Sequence, residues 1–150
     1  MDTTTDAVHR NDWLPRYRDQ GYFFRQAAML TIAMGFGLHL YRLIFGDDAT
    51  LQHVLTPTTD MLLLVPMTYA AVTGIAGRRR MKFANKAHRV VVTASIAYIA
   101  ISVPLHLYVL LVLGDVSFYI HMAGPWFSYL LLCAVYPAFL VMLSRLRYKG

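Results

Sequence analysis

The chain has no glutamate; all eight of its acidic residues are aspartate. Charged residues make up only 15% of it, against roughly 25% in a soluble domain. A single cysteine, Cys133, excludes an intrachain disulfide and leaves the redox compartment open. There is no Cys-x-x-Cys-His, so any haem must be held without covalent attachment. The tight His-x-x-x-His spacing of a helical metal site is missing too, and Gly74 and Gly77 stand too close for Gly-x-x-x-Gly. No nucleophile–base pair, glycine-rich phosphate loop or carboxylate dyad stands out, which argues for a non-catalytic subunit or electron carrier over a stand-alone enzyme. The first 21 residues lack a signal-peptide layout, so the first apolar run is expected to stay in the protein.

What the chain does have is apolar sequence. Hydrophobic residues are 57% of its 150 residues, in long runs separated by clusters of charge. That is the pattern of a multi-pass membrane protein. Segments near 22–46, 57–76, 90–113 and 124–144 are each long enough to cross roughly 30 Å of hydrocarbon. The expected fold is an all-α membrane protein, a four-transmembrane-helix bundle over residues 22–150. A polar cytoplasmic or interfacial segment, residues 1–21, precedes it, and there Trp13 and Tyr17 lie among Arg16 and Arg18.

Lys and Arg set the orientation. They occur in the N-terminal segment (Arg10, Arg16, Arg18), the middle connection (Arg78, Arg79, Arg80, Lys82, Lys86, Arg89) and the C-terminus (Arg145, Arg147, Lys149). The connections 47–55 and 114–123 have none. Both termini and the middle loop are therefore expected on the cytoplasmic side, with a bacterial inner (plasma) membrane as the expected location. The net charge of +6 is placed to orient the chain and to meet anionic lipid, so it is no sign of nucleic-acid binding.

Leu38-His39-Leu40-Tyr41 returns as Leu105-His106-Leu107-Tyr108, an offset of 67. With one inserted residue, Gly46, Asp47 and His53 fall on Gly114, Asp115 and His121, and Leu62–Leu64 on Leu130–Leu132. The offset of 67 resumes at Tyr69 and Tyr136 and holds for Arg78, Arg80 and Lys82 on Arg145, Arg147 and Lys149. These ordered matches indicate a duplicated helical hairpin, repeat 1 about 22–82 and repeat 2 about 89–149. Each hairpin returns to the side it left, so the repeat is parallel and its pseudo-two-fold axis runs along the membrane normal. The equivalent first and third helices can then face each other diagonally.

His39 lies seven residues before Gly46 and His106 eight before Gly114. At 1.5 Å per residue both sit about 10–12 Å inside the outer ends of their helices. Ala28, Thr31, Gly35 and His39 form one stripe on the first helix, shared with Ile32; Ser95, Tyr98, Ile99, Ser102 and His106 take the matching places on the third. Gly35 and Ser102 each lie one turn inward of a histidine, either for close helix packing or to clear space for a planar ring. Pro104 is placed to kink the third helix and aim His106. Arg42 lies one turn outward of His39; it either snorkels to headgroups or pairs with Asp60 or with the carboxylates of a cofactor.

Ionisable residues inside a membrane mark functional sites by default, and three readings use this pair. In the first, His39 and His106 supply both axial ligands of a non-covalent haem b near the outer face, for one-electron transfer. Arg42 then meets the propionates, and Tyr41, Tyr108, Tyr69, Trp126 or Tyr129 walls the ring. Electrons would be exchanged with a quinone or with partner membrane or outer-face subunits; a chlorin needing one histidine is a variant. The layout resembles that of membrane-anchor b-type cytochromes, four helices with ligands from the bundle interior. In the second reading His39, His106, His53 and His121 converge on copper or zinc. In the third there is no cofactor: the bundle is an auxiliary subunit of a larger complex or binds lipid or a small apolar molecule. His39 would then bond a hydroxyl on the second or fourth helix, and His106 the carbonyl freed by Pro104. His9 and His88 are read as solvent or headgroup residues.

Overall fold

The computed structural model describes residues 20–148, so the interfacial segment with Trp13 and Tyr17, His9 and Lys149 lie outside the described residues. About 85% of that stretch is helical. Four helices are long and apolar enough to cross a membrane: Tyr22–Phe45, Pro57–Arg80, Lys86–Leu113 and Pro125–Ser144. In chain order the elements are α1 (Gln20–Phe45), α2 (Asp47–His53), α3 (Pro57–Gly77), a 3₁₀ turn (Arg78–Arg80), β1 (Met81–Lys82), α4 (Lys86–Tyr108), α5 (Phe118–Met122), α6 (Pro125–Leu130), α7 (Tyr136–Ser144) and β2 (Arg147–Tyr148). A π-helical turn, Val109–Leu113, extends α4, and another, Leu131–Val135, joins α6 to α7 in one span. α1 packs on α3 and on the α6–α7 span, and α4 does the same. α1 and α4 meet only sparsely and lie diagonally opposite.

The two hairpins are built alike. The first and third spans each end on a glycine with positive φ, Gly46 (φ +85) and Gly114 (φ +65), where a side chain would be strained. A short helix follows each, and the second and fourth spans each open on a proline, Pro57 and Pro125. Proline suits a first helical turn, where its missing N–H is not needed. Thr56 caps α3 in a reciprocal box with Thr59. The small-residue stripes face the interior, where Ala28, Thr31, Ile32, Ser95 and Ile99 are buried.

The connections 47–55 and 114–123, expected to be loops, thus each contain a short helix. At the opposite end α4 starts at Lys86, capped by Asn85, earlier than the apolar run predicts. β1 and β2 pair antiparallel, with Met81 opposite Tyr148 and Lys82 opposite Arg147. His88 is buried, not solvated: Nε2 bonds the Met142 carbonyl at 2.9 Å and Nδ1 accepts from the Ala84 N–H at 3.0 Å.

Candidate functional site

One cavity of about 460 Å³ lies among the four spans, and His39, His106, Arg42, Gly35 and Ser102 all line it. Its wall is mostly apolar, with Leu38, Leu55, Leu63, Met67 and Leu105 among the lining residues. These five sequence-predicted site residues share one cavity, with Asp60 and Tyr119 as partners of His106 that the sequence does not point to.

His106 pairs through Nδ1 with the Asp60 carboxylate on α3. Asp60 is 2% exposed, and its second oxygen accepts from the Tyr119 hydroxyl at 2.9 Å. Both carboxylate oxygens thus have donors, as a buried carboxylate requires. Its place in the first turn of α3 adds the favourable end of the helix dipole. Tyr119 belongs to α5 and its ring lies 4.9 Å from that of His106. Burial first, and then the Asp60 carboxylate beside it, push the Tyr119 phenol above its ordinary pKa, so it remains a neutral donor.

His39 also uses Nδ1, at 2.9 Å from Ser128 Oγ on α6. Its ring lies 6.0 Å from Phe127 and 5.9 Å from Tyr136. Asp60 and Ser128 differ by 68, the offset that maps His53 on His121. Each histidine therefore bonds a residue at the same position of the other hairpin's second helix. With Nδ1 engaged, Nε2 is the ring nitrogen left on each histidine, and no hydrogen bond reaches either Nε2 among the described residues. An imidazole held through Nδ1 is fixed in orientation, and its Nε2 can serve as a ligand when the Nδ1 carries the proton.

Arg42 neither snorkels nor meets Asp60. It is 5% exposed, and Nε donates to Asp47 Oδ1 at 2.7 Å while Nη2 reaches the Ile120 carbonyl at 3.4 Å. Asp47 is closer along the chain, just past the turn at Gly46. Asp60 is taken by His106, so His106 does not bond the carbonyl freed by Pro104. The space over Gly35 is filled by protein: a Cβ there would stand 2.9 Å from the Tyr136 hydroxyl, which bonds Tyr98 Oη at 2.8 Å. Ser102 donates to the Tyr98 carbonyl at 2.8 Å.

The expected aromatic wall differs as well. Tyr69, Tyr108, Trp126 and Tyr129 are exposed on the bundle surface, and Tyr41 stacks on Phe45 at 4.5 Å. The aromatics that line the cavity are Tyr98, Tyr119, Phe127 and Tyr136. His53 and His121 are exposed on the connections 47–55 and 114–123, each bonded to the carbonyl four residues back, Ala49 and Ser117, and neither lines the cavity. Among the described residues no group of three or more His, Cys, Asp or Glu is placed to hold a metal ion.

Ser128 was open to discovery from the sequence, since the repeat offset carries Asp60 onto it and both are polar in apolar surroundings. Tyr119 had no such signal. Comparison with protein-family models, with curated proteins and with solved structures returns no match.

Proposed function

We propose that the protein is a multi-pass membrane electron-transfer subunit that holds one non-covalent haem b between His39 and His106. The observation that carries this reading is the matched pair itself: two histidines of one repeated motif line a single apolar cavity, each with Nδ1 engaged and Nε2 left over. The donor set fits the group: two neutral imidazoles from diagonal helices, His39 and His106, would hold the iron of a non-covalent b haem. Bound haem would supply one-electron chemistry. The chain's own part is to fix both rings, keep water from the site with Leu38, Leu63, Met67 and Leu105, and set Arg42 at the outer end, where carboxylates of the group would compete with Asp47 for its donors.

The proposal includes the architecture around the site. The chain is a duplicated hairpin with a parallel repeat, and both termini face the cytoplasm across a bacterial inner membrane. Two features at opposite ends support the duplication. Met81 pairs with its own counterpart Tyr148 in the ribbon, as a two-fold axis through that pair requires. The His39–Ser128 and His106–Asp60 contacts exchange under the same operation. A site in the outer half exchanges electrons with quinone in the bilayer or with partner subunits at the outer face, and lipid covers the exposed apolar side chains of the spans.

A second reading, an auxiliary or small-apolar-ligand-binding bundle without a redox cofactor, is favoured by one observation: both histidines already have protein partners, His39 on a fourth-span hydroxyl. Spectra of the protein purified from membranes in mild detergent separate the two. The haem reading predicts sharp low-spin b bands on dithionite reduction, lost in His39→Ala and in His106→Ala. A colourless protein supports the second reading.

A further inference from the structure

The two equivalent positions behind the histidines are chemically unequal. Ser128 offers His39 a neutral hydroxyl, and Asp60 offers His106 a carboxylate whose side chain is 0% exposed. The serine shows that this position serves the fold without a charge. A carboxylate in its place costs desolvation, and the structure meets that cost with two donors, His106 Nδ1 and the Tyr119 hydroxyl. The second donor comes from the connection 114–123 and not from a neighbouring span. Arg42, one turn from His39, also lines the cavity, and its charge is paired with Asp47.

We infer that Asp60 is a positioning residue that makes His106 the stronger electron donor of an unequal pair and so sets a low reduction potential for the site. The inference rests on the haem reading above. A carboxylate accepting from Nδ1–H raises electron density at Nε2, which stabilises the oxidised iron over the reduced. A hydroxyl behind His39 does so far less, so exchanging the two groups moves the potential in opposite directions. Tyr119 holds the far carboxylate oxygen and keeps the near one on His106.

The test is a potentiometric titration of the holoprotein in detergent, read from its reduced-minus-oxidised spectrum. Asp60→Asn keeps the shape and removes the charge. It is expected to raise the reduced-to-oxidised ratio at the wild-type midpoint at least tenfold, 59 mV for a one-electron couple. Ser128→Asp places a carboxylate behind His39 and is expected to lower the ratio at that same potential. Should Asp60→Asn not accumulate, Ser128→Asp decides alone. A b-type spectrum with neither midpoint moved overturns the role of Asp60 and leaves haem binding standing. A wild-type protein without a b-type spectrum overturns both.

Discussion

Replacing Asp60 with alanine strips a partner from two half-buried groups at once, His106 and Tyr119. The Asp60 side chain is 0% exposed and that of His106 only 15%, so solvent cannot take over the lost contacts. Leaving a buried donor without its acceptor typically costs about 1–3 kcal/mol, and Asp60→Ala leaves two, the His106 Nδ1–H and the Tyr119 hydroxyl. Polar pairs measured inside membranes are worth less, on average about 0.6 kcal/mol, since the unfolded chain in lipid finds other partners. The equivalent Ser128→Ala removes a single neutral bond to His39, on the order of 1 kcal/mol. Two orphaned donors against one, reduced for the membrane setting, predict that Asp60→Ala destabilises the bundle by about 1–3 kcal/mol more than Ser128→Ala does. The assay is reversible unfolding in mixed micelles, followed by far-ultraviolet circular dichroism, with the Asp60→Ala/His106→Ala cycle alongside. The double variant should cost clearly less than the sum of the singles. Equal costs for Asp60→Ala and Ser128→Ala, or an additive cycle, would refute the buried-pair reasoning.

Gly35→Ala drives a methyl into the Tyr136 hydroxyl and is expected to cost about 1–3 kcal/mol in the same unfolding assay. Gly37→Ala, with nothing within 4 Å, should be neutral or slightly stabilising. Gly114→Ala also meets no atom but sits at φ +65, so it should lose about 1–2 kcal/mol from backbone strain alone. Tyr119 titrates above an ordinary phenol, so it adds no pH dependence below about pH 10; above that the unfolded chain releases a proton that the folded one keeps. Stability should fall there with rising pH, and the fall should shrink in Tyr119→Phe. In a Cys133→Ala background, an impermeant thiol reagent added outside the cell should label Ser117→Cys and spare Arg79→Cys; the reverse would overturn the proposed orientation.

The spans were legible because long apolar runs need only composition to be seen. Expected limits of 57–76 and 124–144 stand beside Pro57–Arg80 and Pro125–Ser144. The ends moved where capping and tertiary contacts decide: Asn85 starts the third span among charged residues that hydropathy rejects. The β1–β2 ribbon was invisible, since two residues paired with a segment 65 or more positions away leave no local pattern. In the site, the repeated motif singled out His39 and His106, and both line the cavity. The partners were harder. The sequence offers Arg42 headgroups, Asp60 or a cofactor's carboxylates, since depth does not tell which way a side chain turns, and Asp47 is nearer along the chain. The aromatic wall failed for the same reason: Trp126 and Tyr129 sit at suitable depth on the wrong face.

The central claim is that one haem occupies the space between His39 and His106. Haem content per chain, from the pyridine haemochrome of protein purified from membranes, tests it most directly. The account predicts one haem per chain in the wild type and none in the His39→Ala/His106→Ala double variant, with the double variant still folded by circular dichroism. A folded wild-type protein without haem would contradict it.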